Sequence, residues 1–272
     1  MERFDQNNPF VPYKALGHLD RIVDIRDKGW CWPVCADIWL TDRCNHACPE
    51  CAGFREVSPD MDPHTAHKFI DGFAETGGKS LTFTGGGEPL LHGQFVEILR
   101  YARAAGLDVS VLTNGDLWDE RIARNIIEHA TYIRVSLDGY NEESHAKMHG
   151  VKGRFHRVMT NILKYVELRN DTDSRCAVGV GYLCCADTIP GIVRITQECR
   201  SLGVDYIHHR PLYGNTDDPR CAIEAAKGLA TDGFLVAGSS KYAHFDGRRH
   251  HHRCYGQWLG AVLKTSGRFA FC

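Results

Sequence analysis

Apolar and polar residues along this chain follow two periods, which alternate and predict strands and helices in turn. Short apolar runs predict six strands, at residues 36–41, 80–84, 108–112, 132–137, 176–183 and 204–208. Segments with helical spacing follow the first five of them, at residues 61–76, 94–105, 118–129, 155–169 and 189–202. A further helix is predicted at residues 13–28, ahead of the first strand.

This alternation predicts a parallel sheet covered by helices, because parallel strands need a long crossover connection. It leaves open a doubly wound sheet and a barrel or partial barrel. In both folds we expect functional residues on the loops that follow the strands. Beyond Pro211 the alternation fades, so residues 214–253 are predicted to be irregular. Residues 258–271 are predicted to form a β-hairpin that turns at Thr265-Ser266-Gly267.

Composition narrows the class of protein. The 272 residues carry 32 basic and 34 acidic side chains, and this balance argues against a nucleic-acid partner. No apolar run is long enough to cross a bilayer, and the first residues lack the apolar stretch of a secretory signal. We therefore expect a cytoplasmic protein without a membrane partner. In that setting its 12 cysteines favour metal ligation over disulfides.

Three of the cysteines lie close together directly after the first predicted strand. Cys44, Cys48 and Cys51 have the spacing CX3CX2C. Three thiolates on one loop can hold three corners of a [4Fe–4S] cluster and leave the fourth iron open to another ligand. The alternatives are three uninvolved thiols or a zinc site, to which His46 could contribute.

A glycine-rich segment, Gly85-Gly86-Gly87-Glu88-Pro89, follows the second predicted strand. Glycines let a backbone approach a ligand closely and adopt positive φ. The carboxylate of Glu88 can accept hydrogen bonds from an ammonium group. An ordinary turn between a strand and a helix is the alternative.

The cysteine spacing and the GGGEP segment, on consecutive strand ends, resemble the signature motifs of the radical S-adenosylmethionine (radical SAM) superfamily. The resemblance implies an α/β fold, a (β/α)6 partial TIM barrel. It also implies that the open iron binds S-adenosylmethionine, which an electron cleaves to a 5′-deoxyadenosyl radical. Gly85, Gly86, Gly87 and Glu88 would orient the methionine end of this cofactor. A flavodoxin or ferredoxin would supply the electron.

Later strand ends add further candidates for cofactor binding. Residues 136–139, Ser-Leu-Asp-Gly, resemble a family segment whose serine contacts the cofactor ribose, and Asn114 is expected to contact the nucleoside. Many relatives carry a His and, four residues later, an Arg, but here His145 is followed by His149. Positive charges near this segment that could serve the cofactor carboxylate instead are Lys147, Lys152 and Arg154.

Two positions near the substrate side of the predicted site also stand out. The residue before the third cysteine is commonly aromatic in the family and is Glu50 here, which leaves the adenine contact open. Arg210, at the end of the sixth strand, is a candidate for binding an anionic substrate. A surface basic cluster is the alternative interpretation of Arg210.

The C-terminal segment carries the spacing Cys254-X12-Gly267-X4-Cys272. This spacing resembles the first half of the SPASM or twitch extension, which implies an auxiliary iron–sulfur cluster. The alternative is a pair of ordinary residues in a capping hairpin, since the second cysteine group of that pattern is absent. Further ligands would have to come from the cysteines at 184, 185 and 221. The remaining cysteines, at 31, 35, 176 and 199, are predicted to be buried apolar residues.

Together these patterns predict a lead-in (residues 1–36), a radical SAM core (37–212) and an incomplete SPASM or twitch-like extension (213–272). The expected activity is hydrogen abstraction from a small polar substrate, with a sugar, nucleoside or sugar nucleotide favoured. Dehydrogenation, decarboxylation or a related reaction would follow, and no catalytic residue is assigned. The alternatives are a peptide-modifying radical SAM/SPASM enzyme and, in another class, a non-catalytic iron–sulfur or zinc protein.

Overall fold

The computed structural model describes residues 12–51, 58–212, 214, 216–239 and 254–271. Its strands are β1 (Cys35–Trp39), β2 (Ser80–Thr84), β3 (Asp108–Thr113), β4 (Tyr132–Ser136), β5 (Ala177–Cys184), β6 (Tyr206–Pro211), β7 (Leu235–Gly238), β8 (Gly260–Leu263) and β9 (Phe269–Phe271). Its helices are α1 (Leu19–Lys28), α2 (Pro63–Glu75), α3 (Phe95–Ala104), α4 (Glu120–His129), α5 (Glu142–His149), α6 (Phe155–Asp171), α7 (Ile192–Leu202) and α8 (Arg220–Lys227).

The strands form one nine-stranded sheet in the order β7-β6-β5-β4-β3-β2-β1-β8-β9. Strands β1 to β7 are parallel, and each pairs with the next one along the chain. A doubly wound sheet would reverse this order at a switch point, so that alternative is excluded. The predicted α/β fold of the partial-barrel type is confirmed.

The C-terminal hairpin is also confirmed, and it extends the sheet. Strand β8 pairs parallel with β1, and β9 pairs antiparallel with β8. Gly267 in the turn has a φ of 75°, which favours glycine. The prediction that residues 214–253 are irregular is wrong for two segments, α8 and the seventh parallel strand β7. The division into three domains stays a prediction.

Local signals explain where several helices begin and end. The side chain of Asp62 caps α2 by accepting from the backbone N–H of Thr65 at 3.2 Å. The predicted helix at residues 13–28 is two elements, a 3-10 helix (Pro12–Gly17) and α1. The sequence patterns missed α5, which lacks an apolar stripe but has a capping box between Asn141 and Ser144.

The sheet has two faces, one packed against the helices and one facing the interior of the barrel. Residues such as Phe83, Val111 and Val135 are fully buried and pack in the hydrophobic core beneath the helices. Alternate residues face the interior of the barrel, because side chains along a strand point to opposite sides. There the central strands carry polar residues and two glycines, Gly179 and Gly181. None of the described helices is long and apolar enough to cross a bilayer.

Candidate active site

The loop that follows β1 carries Cys44, Cys48 and Cys51, and all three residues line one cavity of about 480 Å³. None of the three forms a disulfide. The end of α5 supports this loop, since the backbone N–H of Ala47 donates to the carbonyl of His149 at 3.0 Å. A Cβ at Gly150 would lie 2.1 Å from the Ala47 carbonyl oxygen, so only glycine permits this contact.

The thiols are close enough to influence one another. Burial, and then the charges of Cys51 and Cys44, raise the pKa of Cys48 to about 12. Burial, and more weakly Glu88 and Cys51, raise the pKa of Cys44. Three neighbouring thiolates are therefore disfavoured without a cation, and positively charged iron would stabilise them. The donor set thus fits an iron–sulfur cluster with three cysteine ligands.

The GGGEP segment packs directly against the cysteine loop. The backbone N–H groups of Gly87 and Glu88 donate to the carbonyls of Thr41 (3.0 Å) and Arg43 (2.8 Å). A Cβ at Gly87 would lie 2.1 Å from the Arg43 carbonyl oxygen. None of Gly85, Gly86 and Gly87 has a positive φ. At Gly87, glycine therefore permits close contact with the loop rather than a left-handed backbone.

The carboxylate of Glu88 is buried and holds the ends of β2 and β3 together. It accepts hydrogen bonds from the Thr113 hydroxyl (2.8 Å), the Asn114 backbone N–H (2.8 Å) and the Leu90 backbone N–H (3.2 Å). Burial raises its pKa to about 7. Glu88 lines the cavity with these donors already in place. Its predicted bond to a cofactor ammonium group stays a prediction.

Asn114, the residue after β3, stabilises the cysteine loop through hydrogen bonds. Its side-chain amide donates to Asn45 Oδ1 at 2.8 Å, and the Asn45 amide donates to Asp116 Oδ2 at 2.9 Å. The same Asn114 amide lies 3.9 Å from the sulfur of Cys44. Asn114 and Ser136 both line the cavity, as a contact with a nucleoside would require. Those contacts also stay predictions.

A cluster of three buried histidines lies beside Cys48, and the sequence patterns did not assign it a role. The rings of His145 and His149 stack with centroids 4.2 Å apart, and His46 Nδ1 lies 3.0 Å from His149 Nδ1. Burial lowers the pKa of His46 to about 4 and that of His145 to about 3. The four-residue spacing of His145 and His149, which places both on one side of a helix, was the available signal.

Ligand atoms of His46, Cys48 and His149 all lie within 4.8 Å of one another, so they could hold a metal ion. This geometry keeps zinc as the alternative to the cluster. A structural zinc site normally has four protein ligands, and this group supplies three. The metal content of the purified protein distinguishes the two.

The charged residues considered for the cofactor carboxylate lie outside the cavity lining. The Lys147 ammonium forms an ion pair with Asp187 at 2.5 Å, and Arg154 Nε lies 3.6 Å from Asp116 Oδ2. Lys152 is exposed. The arginines that do line the cavity are Arg134 on β4 and Arg210 on β6. Arg210 lines the cavity with its Nη2 near Gly181, and its role in binding a substrate stays a prediction.

The other cysteines behave differently from one another. The prediction of burial is confirmed for Cys31, Cys176 and Cys199, but it is wrong for Cys35, the first residue of β1, which is exposed. Cys254 is exposed and belongs to no group of potential metal ligands within the described ranges. Cys272 lies outside the described residues, so the auxiliary cluster with Cys254 stays a prediction.

Fold and site together define a class of enzyme. A partial barrel of parallel strands carries a three-thiol loop, a glycine-rich turn and polar strand ends around one cavity. The cavity opens where such folds bind cofactors and substrates, at the carboxyl ends of the strands. This is the arrangement of a metal-cluster enzyme that binds a second, organic cofactor.

Comparisons with known proteins identify the family. Residues 38–183, more than half of the chain, match the Radical SAM superfamily, and the chain belongs to that family. It is therefore a radical SAM enzyme, and its cofactors are an iron–sulfur cluster and S-adenosylmethionine.

Two curated relatives show the range of activities in the family. An AdoMet-dependent heme synthase of Methanosarcina barkeri is 35% identical over 127 residues, which are 45% of this chain and 36% of the relative. A dTDP-4-amino-4,6-dideoxy-D-glucose ammonia-lyase of Streptomyces venezuelae is 27% identical over 195 residues, which are 67% of this chain and 40% of the relative. The chain spans less than half the length of these relatives.

A solved structure supports the fold. SuiB of Streptococcus suis, bound to the precursor peptide SuiA, has a TM-score of 0.74 and 13% sequence identity. The match covers 99% of this chain and 67% of SuiB. At this identity the likeness shows the fold alone.

Proposed function

We propose that this chain abstracts hydrogen from a small polar substrate held in the cavity beside Cys44, Cys48 and Cys51. In this proposal the three thiolates hold a [4Fe–4S] cluster. When bound, the cluster and S-adenosylmethionine supply a carbon radical by reductive cleavage of the sulfonium. The observation that carries the proposal is the convergence of the thiols and the GGGEP segment on one cavity.

The residues of the chain would position the cofactor and limit its movement. The backbone of Gly85, Gly86 and Gly87, with Glu88, would orient the methionine end, since this turn is fixed against the cysteine loop. Asn114 and Ser136 would contact the nucleoside from the ends of β3 and β4. Because these groups already have fixed partners or positions, little reorganisation would be needed on binding.

The cavity also supports the choice of a small substrate. Its volume of about 480 Å³ lies in the range of small-molecule sites. The name of the Streptomyces relative describes a substrate in which a sugar is linked to a nucleotide. Arg210 would give a substrate of that kind a positive charge to bind. A flavodoxin or ferredoxin would deliver the electron.

The test begins with anaerobic preparation of the protein and measurement of iron, sulfide and zinc. We expect about four iron and four sulfide per chain, and formation of 5′-deoxyadenosine after addition of dithionite and S-adenosylmethionine. Cys48→Ser should lose both the cluster and the product. Cys35→Ser is the control, since Cys35 is exposed at the start of β1 and is assigned to neither cluster.

Two results would contradict the proposal. One is zinc in place of iron and sulfide, which would favour the His46–Cys48–His149 group. The other is a Cys48→Ser protein that keeps its metal and still forms 5′-deoxyadenosine. A substrate screen that yields turnover only with a peptide would instead support the peptide-modifying alternative.

A further inference from the structure

Two arginines approach each other inside the barrel. Arg134 lies on β4 and Arg210 on β6, on either side of β5. Between them is Gly181, where a Cβ would lie 3.0 Å from Arg210 Nη2 and 3.6 Å from Arg134 Nε. Both guanidinium groups therefore lie over the same glycine, which leaves them room.

Neither arginine has a matching negative charge among the described residues. Neither forms an ion pair there, and the Nε of each is buried without a hydrogen-bond partner. Asp138 acts on Arg210 only at longer range, and its Oδ1 accepts from the Leu183 backbone N–H at 2.7 Å. Asp37 influences Arg134 in the same indirect way.

The proximity of these two positive charges destabilises the folded protein when no anion is bound. Burial, and then the positive charge of Arg134, lower the pKa of Arg210. Arginine nevertheless keeps its proton in proteins, so two like charges lie close together in a partly buried site. An anion between them would offset this cost. The planar forks of two guanidinium groups match the oxygens of a carboxylate or phosphate.

The position of the pair indicates which molecule would supply that anion. Both arginines line the cavity that also contains the cluster cysteines, but they lie on β4 and β6, whereas the cysteine loop follows β1. The GGGEP segment and Asn114 lie on the near strands. A substrate that extends from the cofactor across the cavity would reach Arg134 and Arg210 with its far end.

We propose that Arg134 and Arg210 together bind an oxyanion of the substrate, a carboxylate or a phosphate group. The inference rests on the proposed function, because it concerns the same cavity. The methionine carboxylate of S-adenosylmethionine offers the same chemistry. The experiment therefore measures the binding of an added anion and of S-adenosylmethionine separately.

The test uses the chain with its cluster, anaerobically and with saturating S-adenosylmethionine. Inorganic phosphate is titrated at constant ionic strength, with chloride as the balancing salt, and the thermal unfolding midpoint is recorded. Phosphate should raise the midpoint of the wild type. In Arg134→Met and in Arg210→Met, the phosphate concentration that gives half of the shift should rise roughly tenfold or more.

Two further variants make the result specific. Arg210→Lys keeps the charge but loses the planar fork, so its half-effect concentration should lie between those of the wild type and Arg210→Met. Arg100→Met, on the exposed surface of α3, is the control and should respond like the wild type. Equilibrium binding of S-adenosylmethionine should change by less than about threefold in every variant.

Three outcomes would overturn the inference. The first is a wild type whose midpoint does not respond to phosphate. The second is a loss of the response in Arg100→Met as large as in the two cavity variants. The third is a tenfold or greater loss of S-adenosylmethionine affinity in Arg134→Met and Arg210→Met, which would assign the pair to the cofactor. Because phosphate binding needs no turnover, it can fail or succeed independently of 5′-deoxyadenosine formation.

Discussion

The two sides of the cavity are built in opposite ways. The thiol side, formed by the ends of β1, β2 and β3 with the cysteine loop, has polar groups that bind one another, as Glu88 and Asn114 do. The arginine side, formed by the ends of β4, β5 and β6, holds Arg134 and Arg210 with buried donors that lack partners. On the thiol side Glu88 and Asn114 thus have their partners before any ligand binds, although ring nitrogens of the neighbouring His46, His145 and His149 lack them. On the arginine side it is the two charged groups themselves that lack an ion-pair partner among the described residues.

This difference suits the two sides to two tasks, binding the cofactor and binding the substrate. A cofactor common to a whole family can be received by a rigid surface whose hydrogen bonds are already made. Unmatched charge costs stability in the free protein, and proteins tolerate such costs mainly where a ligand makes use of them. We infer that the thiol side is built for the constant cofactor and the arginine side for the molecule that reacts.

The largest effect expected from a change in the cavity tests the rigidity of the thiol side. In Gly87→Ala the new Cβ would lie 2.1 Å from the Arg43 carbonyl oxygen, so the cysteine loop must move. We expect the free energy of unfolding to fall by about 3 kcal/mol and the iron content to drop with it. Urea unfolding under anaerobic conditions and iron analysis measure both changes.

The control for this change is Gly93→Ala, a short distance along the chain. No atom lies within 4 Å of a Cβ at Gly93, and its φ is not positive. Its stability should stay within about 0.5 kcal/mol of the wild type. If Gly87→Ala proved equally mild and kept its iron, the thiol side would not be rigid.

The second prediction has the opposite sign and concerns the arginine side. Arg210→Met removes one of two neighbouring, half-buried like charges, so we expect the free energy of unfolding to rise by about 1–2 kcal/mol. Urea unfolding measures it. Arg169→Met is the matched comparison, because Arg169 is buried but pairs with Asp205. Losing that pair should cost about 3–5 kcal/mol. A loss of similar size in both variants would contradict an unmatched charge at Arg210.

The same comparison shows how far sequence patterns reach. The predicted bounds of β2 match the structure, because a short apolar run with period two is a clear signal. The cysteine loop and GGGEP segment were identified as the candidate site because each lies within a few consecutive residues. These contiguous motifs lie on the thiol side.

Contacts that depend on strand register are not visible in sequence. Arg134 lies in the middle of β4 and looks like an ordinary polar position of a strand. In the sheet, Ser136 of β4 pairs with Gly181 of β5, and Leu183 of β5 pairs with Arg210 of β6. This register places Arg134 and Arg210 on opposite sides of Gly181, close to each other. Helix α5 escaped prediction for a different reason, since it has no apolar stripe and is defined by its caps. The sequence therefore offered Arg210 as a single candidate, and its pairing with Arg134 emerged only from the structure.

The smallest expected effect concerns how burial acts on different groups. Arg210 stays charged when buried, whereas His209, the preceding residue on β6, can lose its proton. Burial lowers the pKa of His209 to about 4. The unfolded chain therefore binds a proton first as pH falls below 6.5, so stability is complete above that pH and is lost towards pH 4. Between pH 8 and pH 6 the loss should be below about 1 kcal/mol.

His209→Gln removes this titration and should reduce the pH dependence of the free energy of unfolding by that amount. His209 is fully buried, with its Nε2 3.2 Å from the Thr196 hydroxyl, and glutamine can keep a polar contact there. His64→Gln, on the exposed surface of α2, is the control for replacing a histidine outside the core. Equal pH dependence in wild type and His209→Gln would mean that His209 is not held neutral. In that case burial would act on His209 and Arg210 in the same way, and both side chains would stay charged.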